Sequence, residues 1–121
     1  MEAIACIVRR NIEVIEGLGI NVNEIRVLGG GSRSEVWNTI KCDLTGRPVV
    51  TTENEEAACL GAAILAGRAV GVFGSLEEAT DRMVHIKDRL QPDPARHEQY
   101  GAVYERWRQL YDDLCPMFER E

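Results

Sequence analysis

The sequence predicts an α/β fold, on three observations. Two short runs rich in β-branched residues, Ile25–Leu28 and Pro48–Thr52, have the composition of strands. Around them apolar residues recur at helical spacing, which gives a predicted element order of α-β-α-β-α-α-α. A strand–helix–strand run of this length needs a right-handed crossover, so the two strands are predicted to be parallel. Since two parallel strands are too few for a sheet covered on both faces, we expect strands of this sheet to be missing from the chain.

The first two helices are bounded by clear signals. Apolar residues recur every three or four positions over residues 3–18, and Gly17 lies where that helix should stop. Ser32 and Glu35 have the spacing of a capping box, which predicts that the second helix opens at Ser32. Gly46 is expected to end it.

The third helix is predicted from an N-cap at Asn54 to about Val70, and it is rich in small residues. These are Ala57, Ala58, Gly61, Ala62, Ala63, Ala66 and Gly67. Small side chains would allow another backbone to approach closely, although the composition alone favours a buried core helix. Glu55 and Glu56 lie in the first turn, where the helix dipole favours acidic groups, so a paired acid–base site is disfavoured there.

Two further helices complete the chain. Ser75 and Glu78 form a second capping-box pattern, which opens a short helix ending at about Met83 or Val84. Asp93 precedes a proline at the first helical position of the last helix, and Pro116 is expected to end that helix. The aromatic residues of the last helix recur on one face and predict a packing stripe: Tyr100, Tyr104, Trp107 and Tyr111.

Composition limits the classes of function. The chain has 121 residues, room for one domain over residues 1–121, with 45% hydrophobic and 28% charged residues. These values exclude a disordered tail, a collagen-like repeat and a membrane protein. The net charge is −6 and no basic cluster is present, which disfavours a nucleic-acid partner. A nucleotide held by backbone N–H groups remains possible.

Metal and nucleophile chemistry have little support in the pattern. The four cysteines, Cys6, Cys42, Cys59 and Cys115, are far apart, and each lies in a helical, mostly apolar stretch that predicts a buried free thiol. His85 and His97 are predicted to be solvated surface residues. No catalytic residue and no metal ligand is assigned in this chain. Free thiols, with no signal peptide at residues 1–10 and no apolar run long enough for a bilayer, predict a cytoplasmic protein without a membrane partner.

The most informative segment is the glycine-rich turn between the first strand and the second helix. The backbone has no side chains at Gly29, Gly30 and Gly31, just before a capped helix begins. That arrangement directs backbone N–H groups and a positive helix end toward an anionic ligand, although three glycines could also form a tight turn without a ligand. The turn is not a Walker A loop, since no Gly-Lys-Ser/Thr follows. It is not a dinucleotide fingerprint either, because Ser34 replaces the third glycine.

Taken together, the motifs resemble those of a known family. The resemblance rests on these segments: residues 25–38, then Asp43, residues 46–49, and Glu56-Ala57-Ala58 followed by residues 60–63. This ordered set resembles the C-terminal domain of the FGGY carbohydrate kinases, with the xylulose kinase branch most similar. The tail agrees with its Glu77-Glu78-Ala79 helix start and Tyr-rich last helix, so the resemblance covers nearly the whole chain.

The resemblance implies an actin-like, ribonuclease-H-type fold in which two lobes close over ATP and sugar. It places Gly29, Gly30, Gly31 and Ser32 against the adenosine and phosphate part of the nucleotide. By position, Glu35 and Asn38 would approach the adenine or ribose. The small-residue helix corresponds to a connecting helix at the hinge between the lobes.

Some features depart from the family pattern. Cys42 stands where Ala is frequent before Asp43, and Thr39 where Gln is common. The lobe in this family opens with three antiparallel strands, which we expect to be absent here. The N-terminal lobe, with its phosphate segments, magnesium-positioning acid, sugar site and catalytic base, is also expected to lie outside this chain.

Two functional hypotheses follow. In the first, the chain is the ATP-binding C-terminal portion of a kinase that transfers the γ-phosphoryl group of ATP to a hydroxyl of xylulose or a similar ketopentose or polyol. Its partners would be ATP or ADP, a sugar bound through the missing lobe, and Mg²⁺ in the intact enzyme, and the isolated chain would be inactive. In the second, it is a non-catalytic module that self-associates, as a homodimer, through its uncovered strand edge and apolar faces.

Overall fold

The computed structural model describes residues 1–54 and 56–118 and has an α/β architecture, as predicted. In chain order the elements are α1 (Glu2–Gly17), β1 (Ile25–Val27), a 3₁₀ turn (Gly30–Arg33), α2 (Glu35–Thr45), β2 (Val49–Thr52), α3 (Ala57–Ala69), α4 (Leu76–Met83), β3 (Ile86–Leu90) and α5 (Pro94–Phe118).

The sheet has three strands in the order β1-β2-β3. β1 and β2 are parallel, with Ile25 opposite Val49 and Val27 opposite Thr51, which confirms the predicted parallel pair. β3 pairs with β2 in the antiparallel direction, and the sequence prediction had missed this strand. The reason is its composition: β3 reads IKDRL, and four of its five residues are exposed, so no apolar alternation marks it.

The core lies where α1, α2 and α5 meet. Ala5, Cys6, Leu44 and Tyr104 are buried there, and Tyr100 and Trp107 of the predicted aromatic stripe pack against them. Tyr111, the fourth residue of that stripe, is 39% exposed and lies outside this core. The Tyr104 hydroxyl donates a hydrogen bond of 2.6 Å to Glu13 on α1. Burial, together with that carboxylate, raises the pKa of Tyr104 to about 12.

One buried carboxylate joins α2 to the start of α5. Asp43, 2% exposed, accepts a hydrogen bond of 2.9 Å from the Asp93 backbone N–H and lies 3.3 Å from the guanidinium of Arg96. His97 donates from Nδ1 to the Asp43 carbonyl oxygen at 2.8 Å. The prediction that His97 is a solvated surface residue is therefore wrong. Its ring packs on Gly46, where a Cβ would lie 2.7 Å from the ring.

α3 differs from the core helix that its composition favours. None of its residues is buried, and Leu65 is 62% exposed. Its main partner is α4, and Gly67 makes room for the ring of Phe73 in the turn between them. The apolar surface of this helix is thus left open by the described part of the chain.

The cysteines divide into two groups. Cys6 and Cys42 are buried free thiols, as predicted, and burial raises the pKa of both. Cys59 on α3 is exposed and Cys115 is only partly buried, so the prediction of burial is wrong for Cys59. The exposure of Cys59 follows from that of α3.

Most helix boundaries lie near their predicted positions. Ser75 caps α4 by accepting from the Glu78 N–H, and Asp93 accepts from two backbone N–H groups at the start of α5. Asn54 does not cap α3, which begins at Ala57; its side chain accepts from the Glu56 N–H instead. Pro116 lies inside α5 rather than at its end. Within the described residues, no helix is long and apolar enough to cross a membrane.

Candidate functional site

The glycine-rich segment forms a closed turn directly after β1. Gly29 has φ +74° and ψ −172°, a backbone conformation open to glycine but strained for other residues. Its carbonyl oxygen accepts from the Ser32 N–H at 3.0 Å and from the Ser32 hydroxyl at 2.7 Å. The turn is therefore held by its own hydrogen bonds before any ligand is considered.

The helix cap lies two residues later than predicted. Ser34, not Ser32, caps α2: its hydroxyl oxygen accepts from the Trp37 N–H at 3.2 Å. The reason is that the residues after Gly29 first make a 3₁₀ turn, which moves the start of the helix toward Glu35. Glu35 becomes the first residue of α2 and is exposed.

The side chain of Asn38 links the glycine-rich turn to α2. Asn38 is 3% exposed, and its Nδ2 group donates a hydrogen bond of 2.7 Å to the Ser32 carbonyl oxygen. That contact sets the orientation of the amide, because the flipped orientation would place two oxygens together. Oδ1 is buried and has no hydrogen-bond partner among the described residues.

The backbone of the middle glycines is left open. Among the residues that the structure describes, a Cβ built on Gly30 would meet nothing within 4 Å, and one on Gly31 would meet only the Trp37 ring, at 3.9 Å. Both glycines are exposed. A ligand can therefore lie directly against this stretch of main chain, which side chains of other types would obstruct.

A cavity of about 710 Å³ lies beside the turn. One wall is made by Ser32, Arg33, Glu35 and Asn38, and the other by Thr51, Thr52 and residues 87–90 of β3. The cavity thus lies near the carboxyl end of β2, the end of parallel strands where ligands bind in open α/β sheets.

The structure therefore brings together three of the six predicted site residues in this cavity. Ser32, Glu35 and Asn38 line it, whereas Gly29, Gly30 and Gly31 lie in the adjoining turn. The opposite wall was not predicted, because β3 was not recognised in the sequence. The signal for its β2 part was present, since Thr51 and Thr52 follow a buried apolar pair at the end of a strand.

Other candidate groups are dispersed. No group of three or more His, Cys, Asp or Glu side chains suited to a metal ion occurs within the described residues. Glu55 lies outside those residues, and Glu56 immediately precedes α3. His85 is exposed at the start of β3, as predicted.

The chain matches the profile of a known protein family. The profile of the C-terminal domain of the FGGY family of carbohydrate kinases matches residues 1–70, more than half of the 121 residues. The chain belongs to this family. The resemblance inferred from the glycine turn and the small-residue helix is thereby confirmed.

Individual relatives are consistent with this assignment. The chain is 34% identical over 101 residues to an autoinducer-2 kinase of Escherichia coli K12, covering 84% of this chain and 19% of that protein. A xylulose kinase structure from Rhodospirillum rubrum gives a TM-score of 0.79 at 32% identity, over 98% of this chain and 24% of the other. A xylulose kinase structure from Brucella ovis gives 0.81 at 25% identity, over 96% and 24%.

These comparisons also confirm the fold class. FGGY kinases have the actin-like ATPase fold, and the chain forms a C-terminal part of it. The chain spans about a fifth of the length of the curated relatives that it matches.

Proposed function

We propose that the chain is the ATP-binding portion of a carbohydrate kinase, which transfers the γ-phosphoryl group of ATP to a hydroxyl of xylulose or a similar ketopentose or polyol. The observation that carries this proposal is the open glycine backbone before a capped helix in a chain of the FGGY family. Backbone N–H groups and a helix N-terminus attract a phosphate-bearing ligand without any basic cluster.

Each proposed site residue has a distinct part. The main chain of Gly29, Gly30, Gly31 and Ser32 lies against the nucleotide. Glu35 is exposed on the cavity wall, where its carboxylate can accept hydrogen bonds from ribose hydroxyls or the adenine amine. Asn38 contributes through the Ser32 carbonyl oxygen, which it holds in place.

We assign the magnesium ligands, the sugar site and the base that deprotonates the acceptor hydroxyl to the N-terminal lobe of the intact enzyme. Phosphoryl transfer requires ATP and acceptor to be positioned together. The 121-residue chain is therefore proposed to be inactive alone, and a coupled assay with ATP and D-xylulose should show no ADP release above background.

Nucleotide binding is best tested by adding a methyl group where only a ligand would meet it. The Cβ of Gly30→Ala meets no atom of residues 1–54 and 56–118 within 4 Å and needs no left-handed backbone, so the variant should fold at least as stably as the parent. If ADP lies against this backbone, the added Cβ will obstruct it. Titration calorimetry with ADP should then show a roughly tenfold or greater weakening, about 1.4 kcal/mol.

Gly101→Ala is the matched control. Gly101 lies in α5, outside the turn, and its added Cβ also meets nothing within 4 Å in the described part of the chain. This variant should keep the ADP affinity of the parent. Absence of any ADP binding by the parent chain, or equal affinities in all three proteins, would contradict the proposed site.

One observation favours a second candidate function, self-association. α3 is apolar yet has no buried residue, and Leu65 and Val70 are 62% and 77% exposed. An apolar helix face of this kind is typical of an interaction surface. Sedimentation velocity at several concentrations should show a homodimer, and a monomer at every concentration would exclude it.

We also infer a cytoplasmic location. It is supported by Cys6 and Cys42, which are buried as free thiols in helices.

A further inference from the structure

The cavity beside the glycine turn carries more positive charge than the chain as a whole. Three basic side chains line it, Arg33, Lys87 and Arg89, against two acidic ones, Glu35 and Asp88. The whole chain, in contrast, has a net charge of −6. The lining is thus less acidic than the rest of the protein, and a cation without an ion-pair partner in it would favour an anionic ligand at this place.

Lys87 reaches this position through an irregularity in the sheet. Thr51 pairs with Asp88 and Thr52 pairs with Ile86, so Lys87 is the extra residue between two ladder positions. Such a β-bulge redirects the side chain of the extra residue and is frequent beside functional sites. The bulge lies at the carboxyl end of β2, where the cavity opens.

The charges around Lys87 leave its ammonium group available. Arg89 is held by Glu24 at 2.8 Å, and the Thr51 hydroxyl donates to Asp88 at 3.5 Å. The side chain of Lys87 is exposed and makes no ion pair or hydrogen bond with any residue in ranges 1–54 and 56–118. A flexible cation of this kind can close on a phosphate group as a point charge.

We propose that Lys87 binds a phosphate group of the nucleotide that occupies this cavity. The inference rests on the proposed nucleotide site and adds a contact from β3, outside the matched residues 1–70.

The test compares ADP with adenosine, which lacks phosphate, in titrations of the 121-residue chain and its Lys87→Gln variant. The variant should bind ADP roughly fivefold more weakly, the size of an exposed charge contact, and should bind adenosine unchanged. The ADP affinity of the parent should also fall more steeply with added salt than that of the variant. Lys87→Arg should restore most of the ADP affinity.

Arg82→Gln is the matched control. It removes the same charge from α4, outside the cavity, and should leave both affinities unchanged. If ADP and adenosine both bind but Lys87→Gln affects neither, the nucleotide site stands and the role of Lys87 is overturned. If neither ligand binds to the parent, the proposed site and the role of Lys87 fall together.

Discussion

The close contact between Gly46 and His97 makes a sharp prediction about stability. Gly46 ends α2 with φ +66°, and a Cβ at this position would lie 2.7 Å from Cε1 and 2.9 Å from Nε2 of His97. The same imidazole donates to the Asp43 carbonyl oxygen. Gly46→Ala should therefore strain the backbone and displace the ring from its hydrogen bond.

Two costs determine how far Gly46→Ala lowers the free energy of unfolding. Placing alanine in the left-handed region costs about 1 kcal/mol. The collision with the ring adds a further cost of about 1–2 kcal/mol, typical of overpacking in a well-packed region. We expect Gly46→Ala to lower the free energy of unfolding by about 2–3 kcal/mol and the melting temperature by roughly 10 °C.

A double-mutant cycle separates the two terms. His97→Ala removes the ring, so Gly46→Ala in that background should cost only the backbone term, about 1 kcal/mol. Urea unfolding followed by the fluorescence of Trp37 and Trp107 gives all four free energies. A cost of Gly46→Ala that is equal with and without the imidazole would refute the proposed collision.

Two further predictions concern the core and the helix cap. Since the pKa of Tyr104 rises from 10.0 to about 12 on folding, the fold favours its neutral form; the free energy of unfolding should fall as pH rises from 10 to 12. Tyr104→Phe should reduce that fall in urea titrations, and a slope identical to the parent's would argue against the shift. Ser34→Ala should cost about 1 kcal/mol by urea unfolding because it removes the α2 cap, whereas Ser32→Ala should cost less. The reverse order would restore Ser32 as the cap.

The sequence predicted those parts of the fold that its apolar pattern marks. The parallel pair, the glycine turn and three of the four residues of the aromatic stripe of α5 have local signals, and the structure confirms them. β3 has none, because its exposed residues are mostly charged and its place is set by pairing with β2. The wall of the cavity that holds Lys87 was missed for the same reason.

Two other differences arise from contacts that are distant in sequence or from competing local turns. His97 has polar neighbours in sequence, and only the fold brings it 2.8 Å from the carbonyl oxygen of Asp43, 54 residues earlier. Ser32 and Ser34 are both good cap residues, and the 3₁₀ turn after Gly29 decides between them. A spacing rule does not include that extra turn.

The contact of Asp43 with the start of α5 has a consequence for how the molecule can be divided. Asp43 belongs to the segment that the family profile matches, yet its N–H and guanidinium partners come from Asp93 and Arg96, outside it. α5 thus behaves as a peptide ligand joined to its receptor by the short link 91–93. The link keeps the effective concentration of α5 high, and its docking is independent of protein concentration. Cleavage of that link would turn α5 into a dissociable peptide, whose loss on dilution would leave the Asp43 carboxylate without its guanidinium partner.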